Sequence, residues 1–163
     1  MAEAPNPMHA FRFQVTFQTV TLASDTGGYR DICQGAFSEV SGLEATVEPL
    51  AISEGGINWG QHQRAGRTSF STVILKRGLT TTRDLWNTFQ QIHQRQGYKN
   101  RLKVTISLYD IEGKRALYWT LEKAMPVKMK LSDFNAAGAE VGVEELHLVH
   151  EGITETMGDR VQL

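Results

Sequence analysis

The chain has 163 residues, a formal net charge of −1 and a single cysteine, Cys33, so its length fits one domain. The near-neutral net charge argues against a protein that binds nucleic acid through phosphate contacts, because that mode of binding needs a basic face. One thiol excludes an internal disulfide and a multi-cysteine zinc site. No apolar run approaches the ~18 residues that a membrane span needs. Residues 1–9 lack the basic and apolar blocks of a secretory signal, so we expect synthesis in the cytoplasm and no membrane insertion.

The N-terminal part of the chain predicts one strand between two irregular segments. Residues 1–10 contain two prolines and little that can pack, and they predict a flexible lead-in before a single domain over 11–163. Apolar and polar residues alternate over 11–18, which is the period of a half-buried strand. The glycines and polar residues of 24–30 predict a loop.

A long strand-forming region follows. Residues 37–52 predict a strand pair, or one strand bent at Gly42. Pro49 cannot donate to a ladder, so this region should lie near a sheet edge. The glycine-rich stretch 54–66 predicts a long loop or an extended hairpin tip, and 70–75 predicts the next strand.

One convincing helix is predicted, over 82–96. Thr81 or Thr82 can cap it, Asp84 lies in its first turn, where the helix dipole favours a negative charge, and Gly97 can end it. Its apolar stripe consists of Leu85, Trp86, Phe89 and Ile92. We therefore expect Trp86 to lie in the core.

The second half of the chain predicts more antiparallel strands. Alternation over 102–108 and again over 117–131 flanks a turn at 110–113, which is typical of a hairpin. A loop at 135–138 and a final strand over 141–150 complete the pattern. With about seven strands to one helix, the predicted class is α+β, mainly antiparallel β.

Residues able to carry chemistry do not form a convincing active site. His147 and His150 lie near Glu144 and Glu145, but residues three apart on a strand point to opposite faces, which disfavours a metal site. The adjacent glutamates diverge in the same way and predict a solvated face. Cys33 lacks the local signature of a catalytic thiol. We expect no catalytic residue, no metal and no cofactor.

Several short segments, taken in order, resemble the tail tube proteins of contractile phage tails. They are residues 37–44 (FSEVSGLE), 54–56 (EGG), 75–78 (LKRG), the pair Leu85-Trp86 and residues 143–152 (VEELHLVHEG). The resemblance spans 11–153, nearly the whole chain. Each segment is a weak signal alone, and their ordered combination is the stronger one.

The resemblance implies a structural subunit and not an enzyme. Six copies would form a ring, and rings would stack into the inner tube of a phage tail or contractile injection system, through which DNA or effector cargo passes. The implied partners are other copies of the chain, a sheath protein, baseplate or spike proteins and tube-capping proteins, in a final location within the particle. The resemblance also implies a barrel-like or sandwich-like subunit with one flanking helix, a fold that would be shared with the tube protein of type VI secretion.

Candidate assembly residues follow from this resemblance. We expect subunit contacts at Glu54, Trp59, Lys76 and Arg77, and a lumen wall at Glu44, Thr46 and Glu48. Reversing both charges at Lys76 and Arg77 should impair assembly and leave the monomer folded. Residues 22–35 are longer than the usual link in the family, and they suggest a loop facing sheath or baseplate, or a specialised protein at the baseplate end. Two alternatives stay open, a baseplate-proximal protein that initiates the tube and a monomeric β-barrel that binds a ligand or cargo.

Overall fold

The computed structural model describes residues 12–21, 30–53, 55–56, 60–94, 100–110, 112–133 and 142–158. The predicted lead-in at 1–10 and the predicted loop at 135–138 lie outside these ranges. Within this part of the chain, no helix has the length and apolar character needed to cross a membrane.

The described residues form ten strands and one helix. The first half contains β1 (Arg12–Thr21), β2 (Arg30–Ala36), β3 (Glu39–Ser41), β4 (Ala45–Ile52), β5 (His62–Phe70) and β6 (Val73–Gly78). The helix α1 (Asp84–Gln94) follows, and then come β7 (Asn100–Tyr109), β8 (Arg115–Leu131), β9 (Val143–Val149) and β10 (Gly152–Met157).

Strand β8 joins the two halves of a sandwich-like body. Its first half pairs with β7 and β10 in the order β2-β1-β7-β8-β10, and its second half begins the order β8-β9-β6-β3. Every pairing is antiparallel. Among the described strands, β2, β3 and β10 each pair on one side only, and β2 does not pair with β3, so the body is an open sandwich and not a closed barrel. The predicted class, mainly antiparallel β structure with one flanking helix, is confirmed.

A corner in β8 separates the two halves. Lys123 has a φ of 51°, and opposite it residues 150–151 interrupt the neighbouring strand between β9 and β10. The amide of Glu151 donates to the carbonyl oxygen of Glu122 at 3.0 Å, and Nζ of Lys123 lies 3.0 Å from Oε2 of Glu151. The predicted final strand over 141–150 therefore continues past this corner as β10, which the sequence pattern did not indicate.

Alternate apolar residues of the strands fill the core. The largest apolar side chains buried on the strands are Val15, Phe17, Val73, Leu75, Leu102, Val104, Ile106, Leu121, Leu146 and Leu148. The predicted alternation is thus confirmed over 12–18 and 102–106, whereas Ser107 is also buried. The predicted turn is also present, because the amide of Gly113 (φ 79°) donates to the Asp110 carbonyl oxygen at 3.1 Å.

Helix α1 contacts β8 and β2 and buries Leu85 and Ile92. It begins at Asp84, whose carboxylate Oδ1 accepts the Leu85 amide at 3.0 Å and so caps the first turn. The prediction that Trp86 lies in the core is wrong, because its side chain is 39% exposed. Successive residues of a helix are rotated by about 100° around its axis, so Trp86 lies at the edge of the apolar stripe, beside the buried Leu85. Its ring stacks on that of Phe89, with 6.2 Å between the ring centroids.

Two strand boundaries differ from the predictions. The single strand predicted over 70–75 is wrong, because β5 ends at Phe70 and β6 begins at Val73. The loop suggested for 22–35 is wrong for residues 30–35, which lie in β2 and pair with β1. Residues 22–29 lie outside the described part of the chain.

Candidate assembly surfaces

Strands β4 and β5 form a two-stranded hairpin, called the arm below and defined by residues 45–52 and 62–70. The two strands pair only with each other, in a sheet separate from the body. All of their residues are exposed except Ile52 and Phe70, which are half-buried. The predicted interface residues Glu54 and Trp59 belong to the connection between these strands and lie outside the described residues.

A β-bulge bends the arm near its middle. Beyond Val47 the register shifts by one residue, so that Glu48 lies opposite both Gly66 and Arg67. A Cβ atom on Gly66 would collide with the carbonyl oxygen of Glu48, so this close approach requires glycine.

The two faces of the arm differ in chemistry, because directly paired residues of an antiparallel hairpin project to the same side. One side, called the apolar face, carries Ala45, Val47, Pro49, Ala51, Gln63, Ala65, Thr68 and Phe70, and has no charged residue. The other side, called the charged face, carries Thr46, Glu48, Leu50, Ile52, His62, Arg64 and Ser69. Neither face is covered by the rest of the subunit, as the exposure of Val47 (49%) and Leu50 (58%) indicates.

The root of the arm is held to the body by specific contacts. Gly42 has a φ of 83°, and a Cβ there would collide with the carbonyl oxygen of Thr72. The amide of Ser71 donates to the Glu44 carbonyl oxygen at 3.2 Å, and its hydroxyl lies 3.3 Å from Oε2 of Glu44. The Phe70 ring contacts the body at His150, 5.2 Å away between centroids. The direction in which the arm leaves the body is therefore defined.

The predicted lumen residues lie in this region. Glu44 is at the root of the arm, while Thr46 and Glu48 are on its charged face, and all three are exposed. Their orientation towards a lumen stays a prediction.

A buried cluster of charges lies at the opposite end of β6, and it is called the Arg77 cluster (Arg77, Glu144, Asp84 and Thr80). Nε of Arg77 donates to Glu144 and Nη2 donates to Asp84. Nη2 also lies 3.4 Å from the Thr80 hydroxyl oxygen. Arg77 is 4% exposed and Glu144 2% exposed. The cluster therefore ties β6, β9 and the start of α1 together inside one subunit.

The surroundings of Arg77 keep its charge. Burial lowers the pKa of Arg77, but its hydrogen bonds to Asp84 and Glu144 outweigh that effect and raise the pKa above its usual value. Its guanidinium carbon also lies 5.5 Å from the centroid of the Phe37 ring, within range of a cation–π contact. The residue is a permanent cation that is paired with Glu144 and Asp84 of its own subunit.

These positions revise two expectations. The prediction of a solvated face at Glu144 is wrong, because β9 turns this residue inward onto Arg77. Lys76, the neighbour of Arg77, points the other way, and its Nζ lies 3.0 Å from Oε1 of Glu39 on the edge strand β3. That contact raises the pKa of Lys76, mainly through the hydrogen bond to Glu39. The interface role of Lys76 stays a prediction, whereas the contacts of Arg77 support a role inside the subunit.

A groove of about 570 Å³ opens beside the Arg77 cluster. It is lined by Leu79, Thr80, Thr81, Arg83, Trp86, Met129, Leu131 and Glu144. Three of these side chains, Leu79, Trp86 and Leu131, are large, apolar and exposed. The sequence pattern did not indicate this groove, because its residues come from three separate segments.

The histidines that suggested a metal site do not form one. Oε2 of Glu145 lies 3.6 Å from Nε2 of His147, while Nδ1 of His150 lies 2.9 Å from the Gly152 carbonyl oxygen. Within the described part of the chain, no group of three or more His, Cys, Asp or Glu residues is arranged to hold a metal ion.

The open strand edges, the exposed arm and the uncovered groove are surfaces that other chains could cover. The chain belongs to the T4-like virus tail tube protein gp19 family, whose model matches residues 9–154. It is accordingly a structural subunit of the tail tube class. No curated protein sequence matches the chain.

Solved structures of contractile particles carry the same fold. A chain in the cryo-EM structure of the anti-feeding prophage (AFP) baseplate, 6-fold symmetrised, is 25% identical, with a TM-score of 0.76 over 94% of this chain and 98% of that one. A chain of the sheath-tube complex of the PVC extracellular contractile injection system, in the extended state, is 20% identical, with a TM-score of 0.72 over 93% and 92%. The crystal structure of an Hcp protein is 13% identical, with a TM-score of 0.53 over 90% of each chain. The comparisons do not favour a baseplate initiator or a monomeric ligand carrier over a tube subunit.

Proposed function

We propose that the chain forms rings of six copies, and that these rings stack into the inner tube of a contractile phage tail or injection system. The observation that carries this proposal is the arm of a tail tube family member, exposed on both faces. A lone two-stranded hairpin is at best marginally stable in water, so the arm needs a covering surface on another molecule.

Ring formation is supported by the open ends of the strand order. Within the described residues, β2 and β3 each leave one edge unpaired, and such edges pair readily with strands of another chain. The formal net charge of −1 gives little repulsion between copies. The 6-fold symmetry of the AFP baseplate, which contains a chain of this fold, supports a ring of six.

The remaining partners are proposed from the particles in which similar chains occur. Those structures include a baseplate, a sheath-tube complex, a tube-terminating cap and a sheath/tube terminator. By analogy we assign this chain a sheath partner, baseplate or spike partners, a capping partner and a location within the particle, with DNA or effector cargo passing through the lumen. Membership in a family of structural tube proteins supports a role without catalysis.

Individual residues take roles in this proposal. Glu54 and Trp59, in the connection at the end of the arm, contact a neighbouring subunit, and so does Lys76 beside the edge strand β3. The exposed residues Glu44, Thr46 and Glu48 face the lumen.

A shortened-arm variant tests the proposal. Glu44 and Ser71 flank the arm and are already adjacent, because the Ser71 amide lies 3.2 Å from the Glu44 carbonyl oxygen. Residues 45–70 can therefore be replaced by an Asn-Gly turn that joins these two residues. We expect the wild-type protein to form hollow tubes in negative-stain electron micrographs and the shortened protein to form none. Its body should still unfold cooperatively, because the arm contributes no residue to the buried core. Tubes of wild-type length from the shortened protein would contradict the proposal.

A further inference from the structure

A histidine with one unsatisfied ring nitrogen lies where the arm joins the body. Within the described part of the chain, two buried side-chain nitrogen atoms lack a hydrogen-bond partner, Nε2 of His147 and Nε2 of His150. His150 directly follows β9 at the corner of the body, and its ring contacts Phe70, the last residue of the arm, at 5.2 Å between centroids. Buried polar groups are normally paired, so these two atoms need an explanation.

The hydrogen bond of His150 defines its tautomer. Nδ1 lies 2.9 Å from the carbonyl oxygen of Gly152, which can only accept, so Nδ1 carries the proton of the neutral ring and Nε2 carries none. In the protonated ring both nitrogens are donors. The new N–H at Nε2 would then be a buried, charged donor that no described residue accepts. The ring can give this donor to water only by leaving its place against Phe70.

The charged groups around this corner do not supply the missing acceptor. Within the described residues, Nε2 of His150 has no hydrogen-bond partner on any surrounding element. The carboxylates of Glu151 and Glu44 are engaged elsewhere, the first with Nζ of Lys123 at 3.0 Å and the second with the Ser71 hydroxyl at 3.3 Å. The charged residues nearest to the corner along each element are all exposed: Glu122 and Lys123 on β8, Glu151 beside His150, Glu155 on β10, Arg67 on β5 and Glu44 at the root of the arm.

The second histidine differs, because it has an acceptor close by. Oε2 of Glu145 lies 3.6 Å from Nε2 of His147, so a proton on that nitrogen would gain an ion pair. His147 also lies away from the arm, opposite Ile74 of β6 and Lys128 of β8. Protonation should therefore be tolerated at His147, which makes it an internal control for His150.

We propose that His150 makes the root of the arm sensitive to acid. The neutral ring packs against Phe70 and helps to hold the arm in its defined direction, whereas protonation at Nε2 displaces the ring and releases the root. Histidine ordinarily changes its charge between about pH 5 and pH 8, so the root is held at the upper end of this range and is released as the pH falls to the lower end. This release takes place within one subunit. Its consequence, that acid slows tube formation, rests on the function proposed above.

Amide hydrogen exchange in the soluble subunit tests the device directly. The Ser71 amide donates to the Glu44 carbonyl oxygen at 3.2 Å, so its protection reports whether the root is closed. After correction for the intrinsic exchange rate, we expect this protection to fall by about tenfold or more from the upper to the lower end of the pH range, as an unsatisfied buried donor implies. The ¹⁵N shifts of the His150 ring should show protonation of Nε2 over the same interval. A Ser71 amide that stays protected while Nε2 is protonated would overturn the proposal.

Two matched variants assign the effect to one histidine. In His150→Asn the side-chain amide can donate to Gly152 in place of Nδ1 but does not titrate, so the protection of Ser71 should no longer depend on pH after the same correction. His147→Asn removes the other buried histidine and should keep the pH dependence of the wild type. An acid-induced loss of protection that persists in His150→Asn, or that disappears in His147→Asn, would assign the effect elsewhere and sink the proposal.

Tube formation measures the consequence for assembly. At the lower end of the pH range the wild type should need at least about tenfold more protein to form tubes than at the upper end, whereas His150→Asn should need the same amount at both. Equal tube formation by the wild type at both ends would break the link between the root and assembly. A wild type that forms no tubes at any pH would overturn the proposed function alone, because the exchange of Ser71 is measured on the subunit.

Discussion

The two ends of β6 differ in whether their side chains find partners within the subunit. At one end Arg77 and Glu144 bury opposite charges with their partners inside the subunit, and at the other the arm exposes apolar side chains such as Val47. The Arg77 cluster is satisfied within one chain, although the groove beside it is uncovered, and it should govern whether the chain folds. The other end is incomplete within one chain and should govern whether copies assemble. Stability and assembly are therefore separable in this protein by the choice of residue.

The largest expected effect comes from breaking the buried end. Arg77→Ala leaves Glu144 charged and buried without its partner, which typically destabilises a protein by about 3–5 kcal/mol. Urea unfolding followed by circular dichroism measures this free energy. Lys76→Ala is the matched control on the next residue of the strand, and its unfolding midpoint should stay at the wild-type value because Lys76 pairs with Glu39 at the surface. Equal destabilisation by Arg77→Ala and Lys76→Ala would contradict the conclusion that Arg77 stabilises the fold and Lys76 does not.

The same contrast corrects an expectation from the sequence. We now expect that reversing Lys76 and Arg77 together would unfold the monomer, because a carboxylate at position 77 would lie against Glu144 and Asp84. The interface role proposed for Lys76 is therefore tested by Lys76→Glu alone, with tube formation as the measurement.

A smaller effect is expected at the root of the arm. Gly42→Ala forces a side chain into a positive φ and against the Thr72 carbonyl oxygen, which we expect to cost about 1–3 kcal/mol of unfolding free energy. The variant should also redirect the arm and reduce tube formation. Gly55→Ala is the matched control, because a Cβ there meets nothing within 4 Å. If Gly42→Ala unfolds like the wild type, the root does not fix the direction of the arm.

Sequence periodicity predicted the elements that bury one face. The alternation over 11–18 and 102–108 marks β1 and β7 because each places one row of side chains in the core. Strand β5 carries no such signal, since both of its faces are exposed, and the glycine-rich stretch that contains its first residues 62–66 is therefore predicted only as a long loop or an extended hairpin tip. A strand that is covered by another molecule, and not by the core of its own subunit, need not show alternating apolar and polar residues.

The Arg77 cluster was beyond sequence reasoning for a different reason. Arg77 and Glu144 are 67 residues apart, and their pairing depends on the register of β6 against β9, which no local pattern specifies. The groove depends on the same long-range placement, because Leu131 and Trp86 approach each other only when α1 lies against β8. The tail tube resemblance supplied the class of protein, whereas the positions of these surfaces required the fold.

The smallest expected effect on stability comes from the exposed end. Val47→Ala removes two methyl groups from a side chain that is 49% exposed and outside the buried core, so the free energy of unfolding should change by no more than about 0.5 kcal/mol. The same truncation at Val73, which is fully buried at the base of the arm, should cost about 1–2 kcal/mol. Tube formation should be impaired more by Val47→Ala than by Val73→Ala, although the Val47→Ala subunit unfolds like the wild type. A marked loss of monomer stability in Val47→Ala would mean that the arm is covered by its own subunit in solution, and the distinction between a self-sufficient end and an incomplete end of β6 would fail.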